Sequence, residues 1–194
     1  MFLTLLFLHL VAVALLFSGM GIELAAILQL HRAATVSAIR AAMQNGPLVG
    51  MLMSSGLLLL LAMGIAMVYT GGTGWQPWTT IALIVTLALG INGPITNGKR
   101  GEAIAKLAEE TPDGPVTQRL EAMRCDRFWN YSIFTSAAEL FVALYIMSNK
   151  PSAAYCVAAV VAGAVVGSIP VLMFVKRPQQ MEPFDSSGSF DTSG

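Results

Sequence analysis

Five stretches of this 194-residue chain are apolar over about 20 residues or more, at about 3–30, 47–69, 77–97, 128–148 and 152–175. That is the length an α-helix needs to cross about 30 Å of hydrocarbon. In such a medium every backbone N–H and C=O must be paired within the protein, which only helices and closed barrels achieve. A barrel strand alternates apolar and polar residues, whereas Leu57-Leu58-Leu59-Leu60-Leu61 and Ala158-Ala159-Val160-Val161-Ala162 are unbroken apolar runs. The predicted fold class is all-α: a polytopic membrane helical bundle with five transmembrane helices. Charged residues make up only 11% of the chain, against about 25% in a soluble domain. This excludes an ordinary cytosolic enzyme, a nucleic-acid binder and a disordered polymer.

The distribution of charge predicts orientation. Eleven Lys+Arg balance eleven Asp+Glu. Arg32 and Arg40 follow the first span, and Lys99, Arg100, Lys106, Arg119, Arg124 and Arg127 lie between the third and fourth. Lys176 and Arg177 follow the fifth, and Lys150 alone is on the other side. By the positive-inside rule the N-terminus is outside and the C-terminus cytoplasmic. Aromatic residues match, with Tyr69, Trp75, Trp78, Tyr145 and Tyr155 as an outer belt and Phe128, Trp129 and Phe174 as an inner one. No basic residue precedes Leu3 and the first apolar stretch is long, so it reads as an uncleaved helix rather than a secretory signal. Cys125 and Cys156 fall near opposite ends of the bundle, too far apart to bridge.

Between the third and fourth spans, 99–127 reads as a charged cytoplasmic helical hairpin. Its first helix covers 102–110, and Thr111-Pro112-Asp113-Gly114-Pro115 breaks the chain. A second helix from Val116 is expected to run uninterrupted into span four, and Asn92-Gly93-Pro94 is expected to break span three. The tail 178–194 is polar and acidic, and its composition predicts disorder unless a partner holds it.

Ionisable side chains within spans are costly and mark functional sites. Three qualify here: His9, Glu23 and Glu139. Glu23 lies nine residues before Arg32 and Glu139 twelve beyond Arg127, about 13 and 18 Å from the cytoplasmic ends of their helices at 1.5 Å per residue. Asn92, Ser54 and Ser136 fall at similar depth. These five residues are expected to form an intramembrane polar layer in which the carboxylates face each other, with Gly19 keeping the Glu23 face open. Two dry carboxylates cannot both ionise, which suits either a proton relay or a hydrogen bond that joins helices. No set of residues has the pattern of a catalytic or closed metal site, so no cofactor is predicted. The remaining route to haem or copper is His9 with Met63 or Met67, because His31 is at the opposite end of the same helix.

Small residues mark packing faces. Gly46 and Gly50 form a GxxxG at the start of span two, and Ser152, Cys156, Ala159, Gly163 and Gly167 form a strip along span five. Such strips let helices approach closely, within one bundle or between subunits.

Four motifs carry a family resemblance over 3–151. They are Leu8-His9-Leu10, Gly64-Ile65-Ala66-Met67 before a Gly/Trp loop, 90–94 before a charged segment, and Met147-Ser148-Asn149-Lys150-Pro151. The chain resembles a family of small bacterial integral membrane proteins, a domain of unknown function loosely similar to copper-resistance-D-type and di-haem cytochrome bundles. The resemblance implies a helical bundle in the bacterial inner membrane. The haem-binding relatives use several helix-borne histidines, and this sequence keeps only His9 in a span, so their cofactor chemistry is not carried over.

Three functions follow as expectations. The first is a non-catalytic membrane subunit that packs against a larger complex, or a second copy, through its small-residue faces and tail. The second is a proton-coupled transporter or conductance using Glu23 and Glu139, and the third a redox protein using His9.

Overall fold

Proline sets two of the helix starts. Pro47 and Pro77 sit in first turns, where a missing N–H costs nothing. The computed structural model describes residues 1–71 and 74–174. The tail, Lys176, Arg177 and the central residues of the Gly71-Gly72-Thr73-Gly74 loop lie outside them. The described residues form α1 (Phe2–Arg32), α2 (Val36–Met43), α3 (Gly46–Thr70), α4 (Pro77–Asn92), a π-helical turn (Gly93–Gly98), α5 (Lys99–Glu110), α6 (Gln118–Arg124), α7 (Arg127–Asn149) and α8 (Ala153–Phe174). Five helical stretches are long and apolar enough to cross a membrane. No strand occurs among the described residues, only an isolated bridge between Thr35 and Pro115.

Glycine notches set the close helix pairs. Gly56 of α3 lies against α1, where an added Cβ would meet Leu15, Leu16 and the Ala12 carbonyl at 3.1–3.2 Å. Gly19 of α1 receives Met53 of α3, at 2.9 Å from where a Cβ would stand. Gly19 therefore does not leave the Glu23 face open as expected, because a long side chain from α3 fills the notch. Between α7 and α8 the approach is closer still: a Cβ on Gly167 would lie 2.6 Å from Thr135 Cα. Around the bundle, α1 pairs with α3 and α4 with α7. Contact across these pairs is thinner, through Phe17 against Phe141 (centroids 5.0 Å apart) and Leu57 seated in the notch of Gly90.

The largest buried core is at the end that carries the basic residues, here the basic end. Ile27 and Leu30 of α1, Val36 and Ile39 of α2, Ile104 of α5, Leu120 of α6 and Trp129 and Ile133 of α7 pack together there. The amphipathic helix α2 was not foreseen, although Thr35 caps it by accepting from Ala38 N at 3.3 Å, and Val36, Ile39 and Ala42 form its buried stripe.

Two expectations about continuity are corrected. Asn92-Gly93-Pro94 does not break the third span. Proline removes a donor and its ring crowds the carbonyl four residues back, and the chain answers by widening into a π turn in which Lys99 N–H reaches Pro94 O, so α4 passes into α5. In contrast, the segment from Val116 does not run into span four. Asp126 leaves the helical region (ψ 113°), and its carboxylate accepts from Phe128 N at 2.9 Å and Trp129 N at 3.2 Å. It also pairs with Arg100 at 2.7 Å, so a capped new start replaces continuity.

Two arginines close the basic end. Arg124 of α6 donates to the Leu30 and Ala33 carbonyls at the end of α1, at 2.8 and 2.6 Å, and pairs with Glu121. Arg40 of α2 donates to Ala108 O and Thr111 O at the end of α5 and pairs with Asp113 at 2.7 Å. The last carbonyls of a helix carry partial negative charge, so a guanidinium suits both ends, buried at Arg124 and half-buried at Arg40. Replacing Arg124 by Met should therefore destabilise the fold by about 2–3 kcal/mol, since two charged hydrogen bonds are lost and the Ala33 carbonyl is left without its partner. Thermal unfolding in detergent reads this as a lower midpoint, with Arg124→Lys in between.

Candidate functional site

Helices α1, α3, α4 and α7 line a half-open central cavity of about 1710 Å³, larger than the roughly 300–1,000 Å³ of ordinary ligand pockets. It exists because the four helices are paired two by two and touch only sparsely across the pairs. At the basic end its rim carries Arg40, Glu102, Lys106 and Glu109, and at the opposite end Trp75, Trp78 and Lys150. None of the described residues of α8 borders it. Between the rims the walls are mainly aliphatic, aromatic and Met side chains, with a few polar groups.

Glu23 is the acidic group on the cavity wall between the rims. Its carboxylate makes no hydrogen bond or ion pair with a described residue. Ser54 also borders the cavity without a hydrogen bond, and Ser136 borders it from α7. His9 is nearer the opposite end, with its ring over Gly64, where a Cβ would meet Cε1 at 3.4 Å. Met67 shares the cavity wall with His9, while Met63 is half-buried outside it. Among the described residues no three His, Cys, Asp or Glu side chains cluster as metal ligands. His31 is engaged elsewhere, donating through Nε2 to Asn130 Oδ1 at 2.8 Å.

The five-residue polar layer divides into parts. Asn92 joins Ser136, donating to its Oγ at 3.2 Å and to Ser132 Oγ at 2.7 Å. Ser132 in turn donates to Asn97 Oδ1 at 2.7 Å, so a continuous chain of hydrogen bonds fastens α4 and the π turn to α7. Glu139 takes no part. It is 8% exposed and faces α8, with Oε1 2.9 Å from where a Cβ on Gly163 would stand and Oε2 without a hydrogen-bond partner. The two carboxylates do not share a site: Glu23 borders the cavity and Glu139 lies between α7 and α8.

Asn97 was missed. At 100° per residue it is about 140° around a regular helix from Asn92, and only the π turn brings both to α7. Arg124 and Asn130 were missed as well, Asn130 Nδ2 donating to the carbonyls of Arg124 and Asp126 at 2.9 and 2.8 Å. Their signal in the sequence was two strongly polar residues in otherwise buried positions.

The small-residue faces also separate. Gly163 and Gly167 are buried against α7, with Cys156 on the same face and Ala159 half-buried. Gly46 and Gly50 meet no atom within 4 Å of an added Cβ and border the cavity. They do not pack against another helix of this chain, because α3 is held from its α1 side and the space next to the two glycines is open. Both cysteines are free.

Comparison with family models, with curated proteins and with solved structures finds no match to this chain.

The two kinds of helix contact predict unequal costs. Gly167→Leu would drive a side chain into the α7 backbone at Thr135 and Phe134. Backbone cannot yield as a side chain can, so the loss should be about 3 kcal/mol or more. Asn92→Ala removes interhelical hydrogen bonds that average about 0.6 kcal/mol each in membranes. Thermal melts in detergent should show a large drop for the first and a small one for the second.

Proposed function

We propose that this protein is a small multi-pass carrier of a membrane, in which a solute moves along the central cavity and Glu23 is the group that binds the solute or a proton in turn, releasing the proton to water as the solute binds and taking one up as it leaves. One observation carries the reading: a single cavity extends from the basic rim to the opposite rim, with an unpartnered carboxylate on its wall. Intramembrane ionisable residues that face a cavity mark transport paths and proton relays, and ligand sites in bundles lie between the helices. Glu139, paired with Glu23 in the sequence-based expectation, is off this path and acts in the α7–α8 contact. The distribution of basic residues supports an N-terminus outside and a C-terminus in the cytoplasm, as expected in a bacterial inner membrane.

The carrier reading overtakes the subunit reading for a structural reason. The strip of α8 that suggested a partner is occupied by α7 of the same chain. The subunit reading retains one support: α3 buries only Gly56, leaving most of its surface to lipid or a second protein. Purification in mild detergent decides between them, a single copy favouring the carrier and a defined larger complex the subunit.

In proteoliposomes with an internal pH dye, the wild type should dissipate a proton gradient faster than protein-free vesicles. Glu23→Gln should slow this by about tenfold or more, since loss of an essential proton-transfer group typically costs 10²–10⁴-fold. Glu139→Gln should keep most of the flux. Flux in Glu23→Gln equal to wild type would remove Glu23 from the mechanism.

A further inference from the structure

We propose that the ligand of the central cavity is a lipophilic organic cation, held by the Glu23 carboxylate against aromatic and methionine walls. The inference rests on the cavity reading above and names its substrate class.

Charge chooses the sign. Among the described residues, Glu23 is the one Asp, Glu, Lys or Arg that borders the cavity between the rims, and His9 the other titratable group. The basic residues that could attract an anion are at the rims and engaged. Arg40 serves the end of α5 and Asp113, Lys106 lies 4.0 Å from Glu110, and Lys150 sits over the Trp78 ring at 5.7 Å from its centroid. A carboxylate without a partner in apolar surroundings is costly, and a bound cation removes that cost.

The walls choose the kind of cation. A metal ion such as Ca²⁺ needs six to eight oxygen ligands, and no cluster of three His, Cys, Asp or Glu exists among the described residues. An organic cation with its charge spread over an apolar body needs far less. One carboxylate, ring faces and polarisable side chains suffice. Phe17 and Met53 border the same cavity as Glu23, together with the Leu57 side chain, while Trp129, Met20 and Leu16 border it from almost fully buried positions. Phe17 is already held edge-on by Phe141, so its ring is fixed in place. The cavity volume of about 1710 Å³ leaves room for a bulky ion.

Tetraphenylphosphonium and tetraphenylborate test this directly, being alike in size and apolar surface and opposite in charge. Binding to the purified full-length protein in detergent is followed by equilibrium dialysis and by quenching of tryptophan fluorescence. The phosphonium should bind about tenfold or more tighter than the borate, a difference of about 1.4 kcal/mol. Glu23→Gln should abolish most of that preference, while Glu139→Gln should leave it unchanged. The comparison of the two ions needs only the wild type, so a Glu23→Gln protein that fails to fold does not block the test. Equal binding of both ions, or a preference for the phosphonium that survives in folded Glu23→Gln, overturns the assignment. Binding of neither ion overturns it too, while proton flux in vesicles still decides the carrier reading separately. Selective phosphonium binding without flux would uphold the cation site and overturn transport.

Discussion

The guanidinium of Arg124 between α6 and the end of α1 is the contact on which the rest of the bundle depends. It meets the Leu30 and Ala33 carbonyls from a buried position. Arg40 does the same for the end of α5. Around these two groups the aliphatic core of the basic end closes, and that core fixes the spacing of the long helices. Further along, α1 pairs with α3 and α7 with α8 through glycine notches, but the pairs barely touch each other. The cavity follows from that arrangement: a tied base, two close pairs, and thin contacts at Phe17–Phe141 and Leu57–Gly90.

Polar groups inside the bundle divide the work. Asn92, Asn97, Ser132 and Ser136 satisfy one another and fasten α4 to α7. Their needs are met within the protein, so they leave little for a ligand. Glu23 is the opposite case, bordering the cavity with no partner among the described residues. Glu139 is a third, enclosed where Gly163 makes room for its carboxyl group. Two glutamates within the spans thus serve as ligand contact and as part of a helix interface, and the neighbouring helix decides which.

That division marks the limit of what the sequence could tell. The five spans were legible because hydrocarbon allows so few backbone solutions, and run length alone identifies them. Depth was legible too, since each residue adds about 1.5 Å along the axis. The direction in which a side chain faces its neighbours was not. Ser136 and Glu139 are one turn apart on α7, yet one borders the cavity and the other α8. Asn97 was hidden by the π turn, which changes the helical phase that any count from Asn92 assumes. Helix α2 is legible in its cap and its Val36, Ile39 and Ala42 spacing, although it is only eight residues long and lies between two long apolar spans. The break at Asp126 shows that a short acidic side chain able to cap two amides can end a helix without glycine or proline.

The arginines are also exchanged between halves. Arg40, which follows α1, serves the end of α5, and Arg124, which follows α5, serves the end of α1. Neither half can therefore complete its own helix ends. During synthesis the Ala33 carbonyl must wait for a residue made 91 positions later. Until then the first hairpin is held by the α1–α3 contact at Gly19, Gly56 and Gly64. The base is crossed like a pair of laces, and it tightens only when the fourth span has begun to emerge.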